Sequence, residues 1–383
     1  LNKNELCMQT SWPQFVKECF LQDGMSFVNQ FRGPFSGAIY QKAHDKWTFF
    51  TSHIGYGSVF YCNTPEGWAV GSDYHRIASV ANQTAGLNIN EQAAYDMLTF
   101  GYMTADHTLI QGVQKLEAGH YLEWDGNQLV LKQYHFFRIS KKEPAPSEEE
   151  MIDNLDRLFR RAVKRGFEKD REYGYKHIAS LSGGLDSRLT IWVAADLGYT
   201  DNLVAIEFGK AGYLDEAIAK KVAHSLGIEL IIKPIDDARF LLDYQEVVHD
   251  NFGLSIYPGT AHGHSMYKLL NFSSFGLMHT GDEQLFWYRS PDGDYSDTEE
   301  YRLQRAYSRT LSGKYTNSGR RFAHIWEFCM YTRGFMGNLN SANAKNRFIT
   351  HNCPFLDVDF AEYVFSLPID IWDNDDIYQK WYL

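Results

Sequence analysis

The stretch HIASLSGGLDSRLTIWVAADLG, residues 177–198, decides the reading of this chain. Ile178, Ala179 and Leu181 read as the end of a buried strand. Leu189, Ile191, Trp192 and Ala195 recur at helical spacing, and Gly198 is a stop signal for that helix. Between the two lies Ser-Gly-Gly. A glycine pair lets the backbone approach something large, and the free N–H groups of the new helix favour an anion there. The expected guest is a phosphate group.

A Walker loop needs a Lys followed by Ser or Thr to reach the β- and γ-phosphates. Here Asp186 opens the helix instead. An acid beside phosphates is repelled unless a divalent cation lies between them, so the stretch implies Mg²⁺. Ser182 and Ser187 can hydrogen-bond phosphate oxygens. A plain strand-to-helix turn with an Asp/Ser cap accounts for two or three of these letters, but less readily for all six. Ser-Gly-Gly-Leu-Asp-Ser resembles the PP-loop of the ATP pyrophosphatases.

The 383 residues suffice for two domains, each with a core. Apolar residues make up 44% and charged residues 22%, as in ordinary globular proteins. No apolar run approaches the roughly 20 residues of a membrane span, and no signal-peptide pattern opens the chain. The formal net charge of −11 argues against a nucleic-acid partner, whose binders carry a basic footprint. The five cysteines, at 7, 19, 62, 329 and 353, form no zinc spacing and read as reduced thiols of a cytoplasmic protein.

Organisation changes near residue 141. Before it, FSGAIYQKAHDKWTFFTSHIG, SVFYCNTPEGWAVGSD and HYLEWDGNQLVLKQYHF read as hairpins, and NEQAAYDMLTFG as a helix capped by Asn90. This gives a β-rich α+β domain over 1–140. A charged, proline-containing linker then leads to a helix capped near Ser147. Strands and helices alternate from there to the end, which means a parallel α/β sheet over 141–383. Ligands of such sheets lie at the carboxyl ends of the strands, where Ser182 and Gly209 fall.

With these segments placed, the chain resembles the asparagine synthetase family over most of its length. SLSGGLDSR, VAIEFG, DEAIAKKVAHSLGIE, HTGDEQLF, CPFLDVDFAEYVFSLP and KWYL occur in that family's order, and FRGPFSGAIY and SHIGYGSVFY match its amidotransferase-type domain. The resemblance implies an amidotransferase-like first domain and an adenine nucleotide alpha hydrolase-like second one. It implies an ATP-dependent, AMP-forming ligase: a carboxylate attacks Mg-ATP, pyrophosphate leaves, and ammonia or an amine, with glutamine as a further donor, takes the acyl group. Leu181, Ser182, Gly183, Gly184, Asp186, Ser187, Phe208, Gly209 and Gly281 would hold the nucleotide. Asp186 and Asp282 would hold Mg²⁺, with Glu283 and Lys380 catalytic. Capping of the next helix is the plain alternative for Asp282 and Glu283, and this loop is two residues shorter than the family's. His262 and His264, in NFGLSIYPGTAHGHSMY, are acceptor-side candidates for the amine proton, or hydrogen-bonded loop histidines. No membrane partner is implied, and a homodimer stays open.

Three departures limit this reading. Glutamine-using relatives begin with a Cys nucleophile, and the match here starts inside that domain, so the first domain reads as lacking its nucleophile end. Cys7 and Cys19 read as buried structural thiols. Thr350-His351-Asn352 stands where asparagine synthetases have Glu-x-Arg, which puts aspartate in doubt as substrate. Arg188 stands where many relatives have Ser, and reads as a helix-surface residue. Relatives of the β-lactam synthetase and lasso-cyclase type, which close an amide within one substrate, therefore form the alternative. A degenerate nucleotide-binding protein is the non-enzymatic one, and the acidic balance disfavours a tRNA-modifying enzyme.

Overall fold

A computed structural model describes residues 1–7, 10–139, 145–282, 296–314, 322–368 and 376–383. The chain forms two compact units. One comprises Leu1–Phe136 with Phe252–Ile256 and Ser296–Asn340, and the other Phe137–Asn251 with Tyr257–Tyr295 and Ser341–Leu383. No helix among the described residues is long and apolar enough to cross a membrane.

The first unit is built from antiparallel hairpins. Strands β1 (Ser36–Gln41) and β2 (Lys46–Thr51) pair from Gln41↔Lys46 to Ser36↔Thr51. β3 (Phe60–Thr64) and β4 (Gly67–Gly71) close over the two-residue turn Pro65-Glu66. β5 (Val113–Lys115) adds to β3, giving a three-stranded sheet. β6 (His120–Trp124) and β7 (Leu129–Gln133) extend the other sheet to the order β1-β2-β6-β7. Their turn is fixed by Asp125, whose Oδ1 accepts from the Asn127 and Gln128 amides at 3.0 and 2.9 Å. Gly126 there takes φ 91°, a conformation that side chains resist. The Asn90 side chain caps helix Glu91–Phe100 by accepting from Ala93 N–H at 3.2 Å. Helix Trp12–Asp23 covers an aromatic cluster in which Phe27 meets Phe31 and Phe50 edge to face.

The second unit is a parallel sheet. Its strands are β8 (Lys176–Ser180), β9 (Leu203–Gly209), β10 (Glu229–Pro234), β11 (Phe275–His279) and β12 (His351–Asn352). Their order is β10-β9-β8-β11-β12, and every neighbouring pair is parallel. The chain runs outward from β8 through β9 to β10, then crosses back to β11 on β8's other side. That reversal makes the end of β8 a topological switch point, where open α/β sheets bind ligands. Ile178, Ile206 and Met278, one from each central strand, share a core with Met266, Tyr267, Phe272 and Ile349. Ser147 caps the long helix Glu148–Glu172, accepting from Glu150 N–H at 3.2 Å. This helix buries Phe159 against Phe355, Phe360 and Trp381. Each such ring contributes roughly 2–3 kcal/mol by burial.

One expectation about the helix Leu185–Asp196 is corrected. Trp192 is 58% exposed, while Leu189, Ile191, Val193 and Ala194 are buried. The inward positions are spread widely around the helix, so apolar spacing alone does not pick out the one large side chain that faces water. A second correction concerns residues 257–267, read as loop but folded as a helix, Tyr257–Tyr267. The Pro and Gly residues there hid its periodicity.

A buried polar knot ties the sheet to its long helix. Asp170 Oδ2 accepts from His177 Nδ1 at 2.9 Å and His279 Nε2 at 2.8 Å, and its Oδ1 accepts from Leu277 N–H at 2.8 Å. Asn352 Nδ2 donates to the other nitrogen of His279 at 3.3 Å, and Phe167 stacks on that ring. These are metal-ligand residue types in close company. Both imidazoles, however, aim at one carboxylate oxygen at hydrogen-bond distance, with ring centroids 6.3 Å apart, so the group reads as a hydrogen-bonded triad.

Candidate active site

β8 ends at Ser180, and the helix Leu185–Asp196 begins five residues later. The intervening turn is held by its own serines. Ser187 Oγ accepts from Ser182 N–H at 3.1 Å and donates to the Gly184 carbonyl at 3.2 Å. Ser182 Oγ lies 3.1 Å from Ser187 Oγ and accepts from Gly184 N–H at 3.1 Å. Leu181 is fully buried and anchors the turn to the sheet. Gly183 N–H donates to Asp215 Oδ1 at 3.0 Å, in the first turn of helix Leu214–Leu226. A side chain at Gly183 would run into that carboxylate. The turn thus sits at a helix N-terminus with its three backbone donors, the amides of Ser182, Gly183 and Gly184, held by side-chain oxygens of Ser187, Asp215 and Ser182. Asp215 also acts on Glu207, inside β9. Burial, and then Asp215, push the Glu207 carboxyl up to about 7.

Gly281 joins a second strand end to this turn. A Cβ there would fall 2.5 Å from the Asp186 carbonyl carbon and 2.6 Å from the Ser187 nitrogen. Only glycine lets the β11 loop lie on the helix start, which brings the segment carrying Asp282 to the one carrying Asp186. Asp186 is the second residue of its helix, and Tyr378 Oη donates to its Oδ1. Burial, then the Asp186 charge, raise the Tyr378 pKa well above the tyrosine range, so it remains a donor. Glu283 lies outside the described residues. Two carboxylates on adjoining segments are hard oxygen donors of the kind Mg²⁺ takes, and the close seating of Gly281 fits a shared ion.

The other candidates divide. Phe208 and Gly209 end β9 beside the turn. His262 meets Phe240 edge to face, and burial, then Lys345, lower its pKa. His264 is fully buried against Phe348, with Asp243, Glu246 and Asp250 each 3.8 Å from a ring nitrogen. Burial outweighs those acids and keeps its pKa low. Lys380 projects to the surface, 2.5 Å from Glu148. It lies two residues from Tyr378 in the helix Asp376–Tyr382, hence about 200° round it. Arg188 Nε donates to the Gly184 carbonyl at 3.2 Å, and its guanidinium lies over Tyr382.

Sequence reasoning passed over Lys345. Its Nζ lies 3.9 Å from Asp282 Oδ2, and its side chain is 13% exposed. No motif marks it, because the contact arises from helix Leu339–Asn346 reaching the strand ends. Of Thr350-His351-Asn352, the last two serve the interior instead, while Thr350 is exposed. His351 pairs with Tyr267 Oη at 3.2 Å and Asn352 with His279. Cys7 and Cys19 are half-buried rather than buried, and burial raises the Cys19 thiol pKa. Cys19 sits within the helix Trp12–Asp23 at the edge of its aromatic core, and Cys7 precedes that helix.

Comparison with known proteins gives two family matches. A glutamine amidotransferase domain model matches residues 2–135, and an asparagine synthase model matches residues 154–261. "Putative asparagine synthetase (glutamine-hydrolyzing) 2" of Methanocaldococcus jannaschii is 22% identical over 280 residues, covering 73% of this chain and 47% of that protein. Asparagine synthetase (glutamine-hydrolyzing) 1 of Bacillus subtilis is 22% identical over 223 residues, covering 58% of this chain and 34% of its own length. The chain therefore spans half or less of these two relatives. A solved NH3-dependent NAD synthetase from Campylobacter jejuni aligns with 37% of this chain and 59% of its own, at 15% identity. Its TM-score of 0.26 is too low to bear on the fold. A glutamine amidotransferase domain followed by an asparagine synthase domain, in this order and with these motifs, is what the chain has in common with the asparagine synthetases it is similar to.

Proposed function

We propose that this protein is an ATP-dependent amide-forming synthetase of the AMP-forming type. The observation that carries the reading is the Ser182–Ser187 turn, with its glycine amides and helix N-terminus at the sheet's switch point, and Gly281 seating a second acid-bearing loop upon it. Leu181, Ser182, Gly183, Gly184 and Ser187 would cradle pyrophosphate, while Phe208 and Gly209 would border adenine. Asp186 and Asp282 would hold Mg²⁺, which supplies charge neutralisation of the phosphates when bound. A carboxylate then attacks the α-phosphorus, pyrophosphate leaves, and ammonia or an amine displaces AMP. For Lys380 to meet the reacting phosphate it must leave Glu148, and an exposed pair of this kind holds it by no more than about 1 kcal/mol. The domain boundary falls near residue 140 in this reading, and the enzyme works in the cytoplasm.

The interior positions of His351 and Asn352 favour a carboxylate other than aspartate, and with it the second reading, closure of an amide within one substrate. The test is calorimetric titration with Mg-ATP, followed by pyrophosphate–ATP exchange across amino acids and short peptides. Binding of Mg-ATP with carboxylate-dependent exchange is the expected result. A protein that binds no Mg-ATP would overturn the proposal.

A further inference from the structure

Lys345, in the helix Leu339–Asn346, brings a loosely paired ammonium to the strand ends of this sheet. Its side chain is only 13% exposed, yet among the described residues its single ionic contact is Asp282, at a long 3.9 Å. A buried ammonium without close acceptors is costly, by several kcal/mol in general, unless an anion meets it. The fold makes room for it on purpose. A Cβ at Gly263 would fall 2.9 Å from Lys345 Cε and 3.4 Å from Phe208 Cζ, so glycine lets the lysine pass between helix and strand end. Lys345 therefore reaches the carboxyl ends of both strands that flank β8, with Phe208 ending β9 and Asp282 following β11. The surrounding groups include two histidines, His262 and buried His351, whose pKa values are lowered first by burial and then by this ammonium. Neither can neutralise it.

We propose that Lys345 is a nucleotide-binding residue, its ammonium meeting the α-phosphate of ATP between the Phe208–Gly209 strand end and the Asp282 loop. This rests on the ATP-dependent reading. Adenine at the end of β9 and pyrophosphate on the Ser182–Ser187 turn leave the α-phosphate between them, where the lysine reaches. The contact is that of a single point charge, and Lys345 reaches the strand ends while Lys380 is turned to Glu148.

Calorimetry with Mg-ATP and with magnesium pyrophosphate, on the parent and on Lys345→Met, Lys345→Arg and Lys380→Ala, tests it. Lys345→Met should weaken Mg-ATP binding about tenfold or more and leave pyrophosphate affinity unchanged. Lys345→Arg should stay within about threefold of the parent, since the charge is kept. Lys380→Ala should keep parental affinity. Replacing this half-buried, loosely paired ammonium by methionine should also leave the thermal midpoint of the free protein unchanged or raised. A parent that binds no Mg-ATP removes the ATP reading and this assignment with it. A parent that binds, with Lys345→Met at parental affinity, removes the Lys345 assignment alone. Equal loss of both ligands, or a lowered midpoint, would make Lys345 a structural residue and overturn the α-phosphate contact.

Discussion

Gly281 lies on the backbone of Asp186 so closely that a single added carbon would stand 2.5 Å from the Asp186 carbonyl carbon. The neighbours are main-chain atoms of a helix start, which cannot rotate away as a side chain can. Gly281→Ala should therefore push the acid-bearing loop off the turn. The expected outcome is a loss of Mg-ATP affinity of about tenfold or more, with overpacking costing about 1–3 kcal/mol in stability. Calorimetry and urea unfolding measure the two. Parental affinity in a folded Gly281→Ala protein would show that the loop has no part in binding.

Asp186 carries a different expectation, about charge. Asp186→Asn keeps the shape and the capacity to accept from Tyr378, but removes the charge that would compensate a divalent ion. The magnesium dependence of ATP binding should disappear, while unfolding free energy changes by about 1 kcal/mol. Tyr378→Phe should do the reverse. It removes a donor to a carboxylate, costing roughly 1–3 kcal/mol of stability, and retains magnesium dependence. Titrating Mg²⁺ at fixed ATP separates the two variants. An Asp186→Asn protein that still responds to Mg²⁺ like the parent would remove this residue from the metal site.

How far these positions can be read from sequence differs by residue, for physical reasons. The Ser182–Ser187 turn is legible because its contacts are local. Each serine bonds within five residues of itself, so six letters contain the serine bonds of the turn, though not the reach of Asp215 or Gly281 to it. The hairpins and the Asn90 and Ser147 caps are legible for the same reason. Lys345 is not, since its neighbours Asp282, Gly263 and Phe208 lie 63 to 137 positions away and only the sheet order unites them. His264 misleads in the opposite sense. Two residues from His262 on a helix, it faces the buried side, toward Phe348 and the three acids. Reading the segment as loop concealed that opposition.

Glu207 gives a pH expectation with a definite sign. Burial, and then Asp215, raise its folded-state pKa to about 7 from the ordinary 4.5. Between those values the folded protein holds a proton that the unfolded chain has released. The slope of stability against pH is then negative, so this group's contribution is greatest below about 4.5 and is lost as pH rises through 7. Glu207→Gln cannot ionise and should lack that decline. At pH 8 it should be more stable than the parent by about 1–2 kcal/mol, a figure discounted for residual solvent near the group. Urea unfolding from pH 5 to 8 measures it. Parallel parent and variant curves would mean that Glu207 ionises normally in the fold.

The Asp170 triad predicts the opposite slope on the acid side. Burial alone would raise the Asp170 pKa, but donation from His177 and His279 outweighs it and holds the group below the usual carboxylate range. Burial lowers the His279 pKa from 6.5, only partly opposed by Asp170. As pH falls below 6.5 the unfolded chain takes up a proton at position 279 that the folded protein refuses. Stability from this histidine is thus present above 6.5 and lost on acidification. Asp170→Asn leaves an acceptor for Leu277 N–H, yet removes the charge on which both imidazoles converge. Breaking a buried charged cluster by removing one partner costs about 3–5 kcal/mol. The loss should be largest near neutrality and shrink in strong acid, where protonation of the parent carboxyl does the same damage. Because His279 is followed at once by Thr280 and Gly281, the variant should also bind Mg-ATP more weakly than the parent under conditions where both are folded. An Asp170→Asn protein with the parent's unfolding curve at pH 7 would show that the triad contributes nothing, and that the β11 loop is placed by packing alone.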